Sequence, residues 1–304
     1  MTERGEQGDL LKPLALPRAR IVQFSAEIAT ARPEKVAFQH SILCQVGLPR
    51  SPTDALRFER SNGSASILVE AGSLWNDESW VQQSLPFGAK PRLALVHIAS
   101  EAVRTQSATI DVGRSTHDFM KRLGIDTNGR SYTSFRQQLA ALSACRMTLG
   151  FNRETVDSKP IERFRAWSNP DAGLERELDL EPGVIVLSHQ FFDSLREHAV
   201  PLDPRAVAAL QKSSLALDIY TWLAHRLHRV ERISGERVSW QSLRGQFGQE
   251  YGTDKNFRRK LTESLRAVRA VYPEARIEEV QGALMLLPSS PPVPKTTISL
   301  ARRG

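Results

Sequence analysis

The chain has 304 residues, two cysteines and a formal charge of +7 at neutral pH, with a pI near 9.7. That length supplies cores for two domains. Two isolated thiols exclude a disulfide framework or a cysteine-built metal site, and the surplus of cations favours a polyanionic partner. No apolar run is long enough to span a membrane, and the first residues, with Glu3, Glu6 and Asp9, lack the apolar stretch of a signal peptide. The expected setting is the reducing cytoplasm, with no membrane contact.

Residues 1–28 are rich in Gly, Pro and charge and are expected to be loosely ordered. Lys12, Arg18 and Arg20 there read as an inert tail before they read as a DNA-binding arm. Pro33 opens a predicted helix through Phe38, Ile42 and Val46, closed by Gly47 and Pro49. The runs ALRFER and ASILVEAG flank an Asn62-Gly63 turn and predict a hairpin. Trp75 and Trp80 are expected to cover a hydrophobic edge, with base stacking as the remote alternative.

Pro91 starts a helix to Arg104 with Leu95, Ile98, Ala99 and Ala102 inward, and SATIDV alternates as a short strand. Ser115 then caps a helix stopped by Gly124, with Asp118 at capping-box spacing. A second helix, Ser131 to Cys145, buries Phe135, Leu139 and Leu142 and turns Arg130, Thr133, Arg136 and Gln137 outward. Cys145, Met147, Leu149 and Phe151 alternate as a strand, with Ile161 to Trp167 as its expected partner. Arg153, Lys159, Arg163 and Arg165 decorate this predicted wing, where the natural contact is phosphate, although a solvated hairpin would look the same.

GVIVL (183–187) reads as a buried strand. Helices follow at Ser188, at Asp203-Pro204, and from Ser213 to Val230. His225 and His228, one turn apart on the last of these, have no third ligand in view and read as packed or solvated rather than metal-bound. Ser239 caps a short helix for which Gly248 is the expected left-handed stop.

The stretch TDKNFRRKLTESLRAVRAVY (253–272) is the most informative. Phe257, Leu261, Ser264, Leu265 and Val268 form an inward stripe, while Lys255, Arg259, Thr262, Arg266 and Arg269 step along the opposite face, flanked by Arg258. A basic helix face alone is more often a solvated surface. A short helix precedes this one, however, and a predicted hairpin (ARIEEV, Gln281-Gly282, ALMLLP) follows it, which is the order of a winged helix. The pairs FMKRLG…SFRQQLAAL and LRGQFG…NFRRKLTESL repeat one plan: a glycine stop, a polar turn, then Phe-Arg-x-x-Leu opening the next helix.

The predicted class is therefore α+β, with two tandem winged-helix domains and a small N-terminal extension. The expected boundaries are 1–84 for the extension, 85–200 for the first domain with a connecting strand and helix, 201–288 for the second, and 289–304 for a flexible tail. The sequence carries no phosphate-cradling Gly-rich loop, zinc-binding histidine pair or nucleophile elbow, so no cofactor, no metal and no catalysis are expected. Strand nicking through a tyrosine such as Tyr132 ranks last.

Several blocks in order (LPFGAKPRLALVHIASEAVRTQS, TIDVG, FMKRLGI, SSLALDIYTWLAHRL and FRRKLTESLRAVRAVYPEARIEEVQGALMLLPS) resemble the plasmid-encoded RepA replication-initiator family of proteobacteria. The resemblance runs from about Leu85 to Ser289. It implies a protein that binds repeated double-stranded DNA sites, or iterons, at a plasmid origin, with a possible homodimer and with the host initiator and replicative helicase as partners. A transcriptional repressor with the same DNA-binding parts, or a winged-helix protein-interaction module, remains open at this point.

Overall fold

The computed structural model describes residues 18–76, 78–152, 154–165 and 183–294. A first helix, α1 (Arg18–Thr30), replaces the end of the loose segment expected up to residue 28, of which residues 1–17 lie outside the described residues. Its Ile21 is buried, and the helix packs on α7 (Pro204–Leu210) and α10 (Asp254–Val271), so tertiary contact rather than intrinsic propensity holds it. The helix expected from Pro33 to Val46 is instead a strand, β1 (Ala37–His40), followed by a short helix, α2 (Ser41–Gln45). Phe38, Ile42 and Val46 recur every four residues, a spacing that fits helix and strand alternation equally. Pairing of β1 with β11 (Ala199–Leu202), Phe38 opposite Pro201, decides the matter.

Strands β2 (Arg57–Asn62) and β3 (Ala65–Glu70) form the expected hairpin, with Gly63 at φ 59° in the first of two loop positions. β3 also pairs with β7 (Arg146–Phe151), and β7 with β8 (Glu154–Ser158), giving a four-stranded sheet in the order β2-β3-β7-β8. A small separate hairpin, β4 (Ser73–Trp75) and β5 (Trp80–Gln82), holds Trp75 and Trp80 edge to face at 5.6 Å. The two rings are 54% and 70% exposed, so they do not cover an apolar edge as expected.

The first repeat runs α3 (Ala89–Thr105), β6 (Thr109–Asp111), α4 (Thr116–Arg122), α5 (Gly129–Ala144), then β9 (Ile161–Arg165) and β10 (Val184–Leu187). Its sheet has the order β6-β10-β9, with Ile185 opposite both Ile110 and Phe164. The second runs α8 (Ser214–Arg226), β12 (Glu236–Ser239), α9 (Trp240–Phe247), α10, β13 (Ile277–Val280) and β14 (Ala283–Leu286), with sheet order β12-β14-β13. In each half the strand between the first two helices pairs with the last strand, which pairs with the one before it. The expected hairpin of β7 with residues 161–167 is therefore corrected. β7 and β8 are an insertion that extends the N-terminal sheet, and the true counterpart of β13–β14 is β9–β10.

Between the halves, α6 (His189–His198) leads through β11 and α7 into α8, which ends in a 3-10 turn at Leu227–Arg229. α3 and α8, the leading helices of the two halves, pack on each other and share one continuous apolar core with α2 and β1. That core extends past α10: Val293 is fully buried and the Tyr272 hydroxyl donates to the Ser290 carbonyl at 2.7 Å. No helix among the described residues is long and apolar enough to cross a membrane.

Candidate nucleic-acid interface

α5 starts where the Asn128 side chain accepts from the Ser131 amide at 2.9 Å. Phe135, Leu139 and Leu142 face the core, while Arg130, Thr133, Arg136 and Gln137 are all exposed. The helix contains no carboxylate, so Arg130 and Arg136 make the outer face of its first half positive. Tyr132, half-buried, sits beneath the Arg136 guanidinium at 5.8 Å. From α3 and the loop before it, the Lys90 ammonium donates to the Ser131 carbonyl at 2.9 Å, and the Phe87 amide donates to buried Gln138 at 2.7 Å. These bonds fix α5 relative to the start of α3. Arg163 is exposed on β9, the strand that packs on α5, whereas Arg153 lies outside the described residues.

α10 begins at Thr253, whose hydroxyl accepts from the Asn256 amide. Phe257, Leu261, Ser264 and Val268 are buried, and Lys255, Arg258, Arg259 and Arg269 are exposed. Thr262 and Arg266 are only half-buried, on the helix against which α1 packs. Arg259 is engaged along its own helix, donating to Glu263 at 2.8 Å and Asn256 at 2.9 Å, and Lys260 also reaches Glu263, at 3.2 Å. Arg258 lies over the Trp240 ring at 5.2 Å. The hairpin beyond α10 exposes Glu278 and Glu279, so it repels phosphate where β9 offers Arg163.

Residue patterns did not reveal the side chains that hold these helices. Arg244 of α9 donates to the carbonyls of Tyr251 at 2.7 Å and Thr253 at 3.3 Å, and pairs with Asp254 at 2.8 Å, clamping the turn into α10. Gly248 is not left-handed as expected (φ −105°); a Cβ there would stand 2.7 Å from the Arg244 carbonyl oxygen.

Deeper in, Asp218 of α8 receives a bidentate pair from Arg92 of α3 (Nε to Oδ1 2.6 Å, Nη2 to Oδ2 2.9 Å) and a third bond from Arg50 at 3.1 Å. Burial pushes the Asp218 carboxyl up, but Arg92, then Arg50 and Arg60, pull it net below the ordinary carboxylate range. Arg50 also pairs with Glu250, in the turn between α9 and α10, at 2.6 Å, and donates to the Phe247 carbonyl. Arg60 of β2, enclosed in the core, reaches Glu250 at 3.3 Å and the Gly47 carbonyl at 3.2 Å. Burial first, and neighbouring Arg50 second, push its guanidinium down to about 10, which leaves it charged at neutral pH.

His225 lies on α8 and His228 in the 3-10 turn that follows it, and no cluster of three His, Cys, Asp or Glu side chains able to hold a metal occurs among the described residues. The His228 ring meets the Ala224 carbonyl at 3.0 Å, and burial, then Arg229, push the His225 imidazole down to about 3.

Residues 85–242 match the family described as plasmid encoded RepA protein. The chain belongs to the plasmid-encoded RepA family. The RepA match takes in the whole first repeat, α8 and β12, and stops inside α9, so α10 lies beyond the matched residues. No curated protein sequence matches the chain. Among solved structures, a crystal structure of selenomethionine derivatives of domains 2 and 3 of RctB is similar, with TM-score 0.51 and 12% identity, covering 82% of this chain and 99% of that one. A second crystal structure of RctB domains 2–3 (residues 155–483) has TM-score 0.49 and 12% identity, covering 80% and 94%. At 12% identity the likeness to the first is one of fold, a mixed α and β architecture spanning both repeats.

Proposed function

We propose that this RepA-family protein initiates plasmid replication by binding repeated duplex sites at the origin, without catalysis, through two winged-helix domains. One observation carries the reading. Each half places a helix pair between the first strand and the last two strands of a three-stranded sheet of equivalent strand order, and the second helix of each pair turns cations outward. In this arrangement α5 and α10 each enter a major groove, and arginine fits the O6 and N7 of guanine bidentately. Arg130, Arg136 and Gln137 read with α5; Lys255, Arg258 and Arg259 read with α10. Thr133, Arg163, Thr262 and Arg269 hold phosphates, and half-buried Arg266 acts from the flank of its helix. Phosphate contacts set register and make affinity fall with salt. Copies bound side by side on repeats would strain an adjacent A·T-rich segment. Homodimerisation and recruitment of a host initiator and helicase are part of this reading, supported by membership of the family.

Footprinting on DNA flanking the gene tests this. The expected result is two protected segments per copy, about one helical turn apart. Arg136→Ala should weaken one segment and Arg259→Ala the other, each by about 1–3 kcal/mol at a base contact. Failure to bind any duplex at low salt would overturn the reading in favour of a protein-interaction module. Binding confined to the gene's own promoter would favour a repressor.

A further inference from the structure

The buried cluster around Asp218 lies well inside the molecule, yet it touches the supports of both proposed reading helices. Arg92 and Asp218 join α3 to α8 across the boundary between the halves. Arg50 and Arg60 come from the segment after α2 and from β2, and both end on Glu250 in the turn that launches α10. The Arg50 amide adds a third bond to Glu250, at 3.0 Å, and Gln249 accepts from Arg60 at 3.4 Å. The same α3 anchors α5 through Lys90. The starts of α5 and α10 are therefore both indexed to one end of α3, one directly and one through four charged side chains. The space is closed: a Cβ on Gly47 would lie 2.7 Å from the Asp218 carboxylate.

An ion cluster of this kind is not the cheapest way to fill a core, since apolar residues of similar volume are often as stable or more so. Its distinguishing property is direction. Arg50 reaches Asp218 and Glu250 with one guanidinium and adds its amide to Glu250, where Arg60 also ends, and such directional bonds tolerate little sliding, so they fix the position of the α9–α10 turn where oily contacts would let it drift. We infer that Arg50, Arg60, Arg92, Asp218 and Glu250 are positioning residues that set the offset between α5 and α10, and so determine which half-site spacing the protein accepts. This rests on the reading of both helices as DNA readers.

Glu250 is the member to change, because it sits at the rim with its side chain 21% exposed, and its loss leaves the Arg92–Asp218 pair whole. The full chain and Glu250→Ala are compared on a footprinted duplex, on the same duplex with two base pairs inserted between the protected segments, and on each segment alone. Two base pairs turn the second segment by about 70° around the helix axis. The wild type is expected to lose about tenfold or more in affinity on the lengthened site. The variant should lose about threefold or less, with single-segment affinities unchanged and its circular dichroism native. Where Glu250→Ala melts below the assay temperature, Glu250→Gln, of the same shape but without the charge, carries the comparison. Wild-type indifference to the insertion, or a folded variant with undiminished discrimination, would overturn the inference while leaving DNA binding intact. Absence of any duplex binding by the wild type would instead sink the functional reading.

Discussion

At the scale of single residues, the proposed interface is less free than its helical pattern implies. Arg259 is held by Glu263 and Asn256, and such an exposed pair is worth only about 0.2–1 kcal/mol. Glu263→Gln should therefore release Arg259, remove a repulsive charge, and tighten duplex binding by about two- to fivefold in a low-salt titration. The double variant with Arg259→Ala should lose that gain. Asp218 stands at the other extreme, because removing its charge leaves Arg92 buried without a counter-ion and Arg50 with Glu250 alone. Asp218→Asn should lower unfolding free energy in urea by about 3–5 kcal/mol. The partners of Asp218 were not legible in the sequence. Arg92 is one of several charged residues on α3, Arg60 alternates like any strand residue, and a charge 126 or 168 positions from its partner leaves no local trace.

At the scale of elements, what was legible was what local chemistry decides. Ser115, Ser188, Asp203, Ser213, Ser239 and Thr253 each accept from an amide two or three residues on, at the helix starts read from sequence. Thr253→Ala should cost about 1 kcal/mol, measured as a lowered urea midpoint with unchanged slope, and it should fray the first turn of α10. Strand partnership was not legible, because alternation shows which face of a strand is buried and not which neighbour it meets. β7 alternates and β9 carries Ile161 and Phe164 among charged residues, yet β7 joins β3 and β8 while β9 joins β10. α1 was missed for the same reason: a segment with weak propensity becomes a helix once α7 and α10 offer Ile21 a place to be buried.

At the scale of the whole molecule, the two repeats are joined by a core that runs through α2, α3 and α8. His40 belongs to this shared body. Its ring caps α2 by accepting from Ile42, meets Ser194 of α6 at 2.9 Å and stacks on Phe191. Burial, then neighbouring His198, push its imidazole down to about 4, so the folded state keeps it neutral. An unfolded chain takes up that proton from about pH 6.5 downward, so stability is full above that pH and declines until the folded value near 4 is reached. Unfolding free energies from urea titrations between pH 7 and pH 4 should fall by up to about 3 kcal/mol from this group. His40→Gln should flatten that decline. The indole of Trp240 offers a last consequence, since Arg258 rests against it while Trp75 and Trp80 face solvent. A cation over an indole perturbs its emission, so drawing Arg258 away toward a bound polyanion should shift Trp240 fluorescence. The protein thereby carries its own optical gauge of occupancy among its five tryptophans, readable without a label as the part of the emission change that Trp240→Phe abolishes.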